Sequence, residues 1–183
     1  MGRDEAYELL TEYTQSANLI KHALAVEAAM RHYARRFGED EQLWATVGLL
    51  HDFDYERYPD LKDHPFKGAE ILRERGWPEE IVEAVLAHAE HAGIPRDTRL
   101  KQTIFAVDEL AGFIIATALV RPDKKLASVE VKSVKKKMKD KSFAAAVNRD
   151  EILRGADELG LSLDEHIDMV LASMQEIADD LGL

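Results

Sequence analysis

The chain has 183 residues, 46% hydrophobic and 32% charged, a profile of a soluble globular domain that excludes a disordered or fibrous chain. Its 35 Asp and Glu against 24 Lys and Arg give a net charge of −11, which disfavours duplex nucleic acid and membrane as partners and favours a small ligand or a protein. Cysteine is absent, so disulfides, thiolate nucleophiles and Cys-type zinc sites are excluded, and any metal must be held by His, Asp or Glu.

Residues 1–5 lack the basic and apolar regions of a signal peptide, and Ala6 breaks the myristoylation pattern. The longest apolar stretch, 111–120, is about half of a membrane span. These readings predict a cytoplasmic protein. Apolar residues recur at three- and four-residue spacing without strand-length alternation, which predicts an all-α fold. The expected organisation is one domain over 1–183, a helical bundle with a core at about 16–119 and accessory C-terminal helices over about 120–183.

In chain order, helices are expected over 4–13, 16–37 and 40–51, then an acidic loop over 52–63 containing Pro59. Further helices are expected over 65–75, 78–91 and 98–119, with starts marked by proline or a capping residue and breaks at Gly76, Gly93 and Pro95. Residues 132–141 then hold six lysines and one aspartate, and 150–183 hold ten acids and one arginine. That reversal reads either as two solvated faces that attract each other or as a basic ligand-facing helix beside an acidic pair. Glycine-rich phosphate loops and the G-x-S-x-G elbow are absent.

The chemistry lies where ionisable residues fall on apolar faces. His22 fills a gap in the stripe Leu19, Val26, Met30, Tyr33 and Phe37. His51 and Asp52 end the helix whose inner side is Leu43, Val47 and Leu50, while Ile81 and Val85 continue onto His88. Asp108 shares a face with Ile104, Ala111 and Ile115, so it must be protonated, paired with a cation or bound to metal. Each histidine alone reads first as a satisfied core residue and only then as a ligand, and Asp108 alone equally as the partner of a buried base. Together they favour one shared ion. Imidazole with carboxylate suits Fe, Mn, Zn, Ni or Mg without choosing among them. Gly48, Gly68 and Gly112, three or four residues from His51, His64 and Asp108, mark places where helices could approach closely. His32 and His166 are expected to be exposed.

The order His22, His51-Asp52, Asp108 resembles the H, HD, D pattern of the HD-domain superfamily, over residues 16–119. The segment His64-Pro65-Phe66-Lys67-Gly68-Ala69 is similar to the His-Pro-x-x-Gly-Ala run of HDIG and HD-GYP members, and residues 81–88 to their next ligand helix. Diadenosine polyphosphate hydrolases of the superfamily share a similar His spacing. The resemblance implies an all-helical, metal-dependent phosphohydrolase. Its first ion would be held by His22, His51, Asp52 and Asp108, and a second by Asp52, His64 and His88. Gly93-Ile94-Pro95 stands where Gly-Tyr-Pro is expected, and His88-Ala89 where a His pair is expected, which argues against a cyclic dinucleotide phosphodiesterase.

The expected reaction is hydrolysis of a phosphate ester or phosphoanhydride in a small, nucleotide-like substrate, with one or two divalent metal ions and Asp52 bridging them. Lys67, three residues after His64, is the candidate for contacting phosphate or protonating the leaving oxygen, against a solvated surface role. Arg57 and Lys62 are weaker phosphate contacts, and Glu90 and His91 are rim candidates. The competing expectation is a nonhydrolytic module that senses a nucleotide and uses residues 132–141 to engage a partner.

Overall fold

The helical periodicity resolves into ten α-helices and no strand in the computed structural model, which describes residues 1–183. They are α1 (Arg3–Tyr13), α2 (Ala17–Phe37), α3 (Glu41–Leu50), α4 (Phe66–Glu74), α5 (Glu79–His88), α6 (Arg99–Leu119), α7 (Val131–Met138), α8 (Arg149–Glu158), α9 (Leu163–Glu176) and α10 (Ala178–Leu181). The acidic segment 52–63 is a run of turns, as its Pro59 and charge imply.

Local chemistry sets the ends. Asp40 accepts from the amides of Gln42 and Leu43 at the start of α3, and Thr98 accepts from Lys101 at the start of α6. Ser162 and Glu165 form a reciprocal capping box on α9. Gly38 takes a left-handed conformation, φ 73°, and its amide closes α2 onto the carbonyls of Ala34 and Arg35. The helix expected over 78–91 stops at His88, because Ala89 turns extended and residues 90–92 form a separate 3₁₀ turn.

The bundle is built around α2 and α6. Helix α3 lies along α2, while α5 and α8 pack on α6, and α9 bridges α2 and α6. By length and composition alone α6 is apolar enough to cross a membrane, but 61% of that stretch is buried inside the protein. Two glycines set the closest approaches. A Cβ at Gly48 would lie 2.8 Å from the Glu27 Cα, so α3 can press its C-terminal His51 towards α2 only without a side chain there. A Cβ at Gly155 would lie 2.5 Å from the Ala106 Cα, which fixes α8 on α6 just before Asp108.

Two expectations about exposure are corrected. His166 is fully buried: Tyr33 donates its hydroxyl hydrogen to Nδ1 at 2.6 Å, and Nε2–H donates to the Ala106 carbonyl at 2.9 Å. Its place four residues before Val170 and eight before Met174 puts it on the inner stripe of α9, where its acidic neighbours face outward. Burial pushes its pKa down to about 4, so it is neutral. His32 is half-buried, with Nδ1 enclosed and unpaired. The charge reversal in the last third yields an ion pair between Lys135 of α7 and Asp164 of α9 at 2.5 Å, while Lys132 pairs with nearby Glu130.

Candidate metal centre

Five separate parts of the chain deliver donors to one cavity of about 740 Å³. Helix α2 contributes His22, the end of α3 contributes His51 and then Asp52, and the residue preceding Pro65 contributes His64. The last residue of α5 is His88, and α6 contributes Asp108 from its middle. The structure brings these six residues into two groups: His22, His51, Asp52 and Asp108, then Asp52, His64 and His88.

In the first group, His22 Nε2 lies 2.9 Å from Asp108 Oδ1, and His51 Nε2 lies 3.2 Å from His22 Nε2 and 3.4 Å from Asp108 Oδ1. Asp52 Oδ2 is 3.7 Å from His51 Nε2. In the second, Asp52 Oδ1 is 3.2 Å from the Nε2 of both His64 and His88, which are 3.3 Å from each other. The three donors form a nearly equilateral triangle. Donors bound at about 2.1 Å around one ion stand roughly 3 to 3.4 Å apart in the usual geometries. Asp52 turns one oxygen to each group.

The tautomers fit cations. Nδ1–H of His51 donates to the Gly48 carbonyl at 2.8 Å, and Nδ1–H of His88 donates to the Val85 carbonyl. His64 Nδ1–H donates to Asp54 Oδ1 at 2.8 Å. With these three Nδ1 atoms committed, the Nε2 of each ring turns to its donor group, the arrangement that orients metal-ligating imidazoles. Two neutral rings at His64 and His88 would set lone pair against lone pair, and two charged rings would set N–H against N–H. A cation between them removes the conflict. The residues present therefore fit one or two divalent ions.

Electrostatics point the same way. Burial opposes a charge on His51, but Asp52 and Asp108 lift its pKa to about 9. Burial likewise opposes a charge on His64, while the hydrogen bonds to Asp52 and Asp54 lift it to about 10. Burial works to raise Asp52 and Asp108, yet the neighbouring imidazoles hold both below the usual carboxylate range. Without metal, protons occupy positions that a divalent cation would take.

Asp54 supports this donor cluster and is a residue that the sequence reading missed. It is fully buried, and besides accepting from His64 it accepts from the Gly68 amide at 2.8 Å. A Cβ at Gly68 would lie 2.9 Å from its carboxyl carbon, so that glycine makes room for the carboxylate rather than for a helix. Asp54 follows Asp52 by two, with buried Phe53 between them, and that inward-turning pattern was its available signal. Gly112 meanwhile leaves the His22 ring in ordinary contact distance, 3.8 Å from a Cβ position.

The expected phosphate contacts fall elsewhere. Lys67 Nζ is bonded to Glu70 at 2.6 Å on the outer surface of α4, and Lys62 pairs with Asp60 in solvent. Arg57 lies over the Tyr13 ring and donates to the Glu12 carbonyl. His91 lines the cavity, but its Nε2–H donates to the His64 carbonyl at 2.9 Å, which makes it a rim residue. Glu109 and Glu151 also line the cavity. Burial, then the charge of Asp108, pushes the Glu109 carboxyl up to about 7, and burial raises Glu151.

Comparison with known proteins agrees with this geometry. The chain is 34% identical over 103 residues to a Ribonuclease Y of Lawsonia intracellularis, covering 56% of this chain and 19% of that protein. It is 31% identical over 147 residues to that of Desulfotalea psychrophila, covering 76% and 27%, and 30% identical over 98 residues to that of Oleidesulfovibrio alaskensis, covering 53% and 18%. The matched part thus spans about a fifth to a quarter of these relatives. No solved structure matches the chain. Residues 19–112, the stretch that holds all six converging donors, match the HD domain, and the chain belongs to that family.

Proposed function

We propose that this protein hydrolyses a phosphate ester or phosphoanhydride in a nucleotide-like substrate, using one or two divalent cations. One observation carries the reading: two donor sets share Asp52 and open on a single cavity. Membership in the HD domain family points to a metal-dependent hydrolase. The name ribonuclease on the relatives supports chemistry at a phosphorus–oxygen bond.

Divalent cations held in such sites lower the pKa of nearby water and offset charge that develops on phosphoryl oxygens. The chain's own groups do the positioning. Asp54 and the carbonyls of Gly48 and Val85 hold the rings of His64, His51 and His88 by Nδ1, so that each Nε2 faces its donor group. Asp52 supplies one oxygen to each set and fixes their spacing. The apolar packing of α2, α3 and α6 behind the donors keeps water from approaching from the core side.

The test is turnover by metal-loaded protein against nucleotides, phosphomonoesters, phosphodiesters and dinucleoside polyphosphates. Release of phosphate or nucleotide that is abolished by Asp52→Ala supports the reading. If no compound is cleaved while one raises the melting temperature, a nonhydrolytic sensing module replaces it.

A further inference from the structure

The cavity around the donors has an unusual charge distribution for a site that handles phosphate. Arginine and lysine are absent from its lining, and the three basic residues that follow the His-Asp pair, Arg57, Lys62 and Lys67, are paired elsewhere. Two of the wall residues are instead the carboxylates Glu109 and Glu151. Glu109 accepts from the Asn148 amide at 3.2 Å, and Glu151 accepts from the Asn148 side chain at 2.7 Å, so one residue holds both in place. Glu90 also lines the cavity, but Arg96 and Arg154 pair with it.

This wall belongs in part to the accessory region. Ala146, Val147 and Glu151 lie beyond the 19–112 stretch, in the turn before α8 and on its first turn. That turn is built around Arg149, whose guanidinium donates to the carbonyls of Met138, Asp140, Phe143, Ala144 and Val147. The acidic wall is therefore fixed by the fold. In the same lining, Tyr55 stands edge-on to the His64 ring at 5.2 Å and is 39% exposed, and Leu61 is 66% exposed, which gives the cavity an apolar part.

We infer that the site takes a phosphomonoester carrying a single phosphoryl group on a neutral, hydrogen-bond-donating remainder, and discriminates against polyphosphates and oligonucleotides. The inference rests on the proposed metal-dependent reading and narrows its substrate class. Two divalent cations against Asp52 and Asp108 leave an excess of two positive charges, which one phosphomonoester dianion neutralises. Asp54 behind His64 reduces that excess further. A second or third phosphate would then face Glu109 and Glu151 with no cation in the lining to receive it, the nearby Arg96 and Arg154 being paired to Glu90. Hydroxyl and amine hydrogens, by contrast, find acceptors on that wall, and a flat apolar group finds Tyr55 and Leu61.

The experiment measures binding of methylene-bridged, non-hydrolysable analogues of adenosine 5′-monophosphate and 5′-triphosphate to metal-loaded protein by calorimetry at pH 8. Parent protein is compared with Glu109→Gln, Glu151→Gln and the double variant. Glutamine retains the oxygen that accepts from Asn148, so the wall keeps its shape and loses its charge. The expected result is tighter binding of the monophosphate analogue by about tenfold or more, narrowing to about threefold or less in the double variant. Equal or tighter binding of the triphosphate analogue overturns the inference and leaves the metal-dependent reading standing. A preference that persists unchanged in the double variant overturns it as well. Failure of both analogues to bind, together with no turnover of any phosphate compound, overturns both readings.

Discussion

Replacing Asp54 by Asn isolates the role of a residue that touches neither cavity nor substrate. Its two oxygens each accept from a buried donor, Nδ1–H of His64 and the Gly68 amide, both at 2.8 Å. Asparagine has one acceptor and one donor, so one of these contacts must fail. If the amide NH₂ faces His64, it takes the lone pair of Nδ1 and moves the ring proton to Nε2, which removes a donor from the Asp52, His64 and His88 triangle. If it faces Gly68, a buried amide loses its partner at about 1 to 3 kcal/mol. Loss of a carboxylate behind a ligating imidazole typically weakens metal affinity by about 10- to 100-fold, or roughly 1.4 to 2.8 kcal/mol. The first group, His22, His51, Asp52 and Asp108, has no contact with Asp54. Calorimetric metal titration should therefore show one class of sites unchanged and one weakened by that factor, with a melting temperature lower by a few degrees. Two unchanged classes, or equal weakening of both, would refute the assignment of Asp54 to His64 alone.

Metal binding should release protons, because in the metal-free protein His51 and His64 titrate near 9 and 10. Calorimetry in buffers of different ionisation enthalpy should show up to about two protons leaving at pH 7, and affinity rising as pH approaches 9. A buffer-independent heat contradicts this. The same raised values give the metal-free protein stability that is fully present below about pH 6.5 and is lost as pH rises through 9 to 10. His166 has the opposite sign. Its value of about 4 lies below the unfolded value of 6.5, so its contribution is complete above pH 6.5 and is lost as pH falls towards 4, by roughly 3 kcal/mol. His166→Phe should flatten the acid limb of a denaturation-versus-pH curve, even though its baseline stability is lower; an equally steep limb would rule this out. Gly155→Ala should lower the melting temperature, since a Cβ 2.5 Å from the Ala106 Cα costs about 1 to 3 kcal/mol or more, against about 1 kcal/mol gained in helix propensity. A raised melting temperature would contradict the close approach of α8 and α6.

The helices and most of the converging donors were readable because both depend on spacing, whereas His64 was reached only through the family resemblance of its His-Pro-x-x-Gly-Ala segment. His22 sits in a stripe of apolar residues, and His88 follows Ile81 and Val85 at helical intervals, so the period that buries the stripe also turns the imidazole inward. Asp54 was not read, because inside a run of acidic turn residues nothing periodic distinguishes a carboxylate that turns in from one that turns out. His166 was misread by its acidic neighbours, although Val170 and Met174 shared its face. The outward placement of Lys67 follows from Glu70, which lies three residues on and competes for its ammonium. The wall formed by Glu109 and Glu151 joins residues of α6 and α8 through Asn148, a contact across 39 residues from Glu109 that no local pattern encodes.

A cation centre in which Asp52 serves two donor sets underlies the proposed function. Metal content of purified, metal-reconstituted protein measures this directly, alongside three variants. Two ions per chain are expected in the parent, one after Asp108→Ala, one after His88→Ala, and none after Asp52→Ala, since Asp52 alone belongs to both groups. Retention of the parent's metal content by Asp52→Ala would contradict the centre described here.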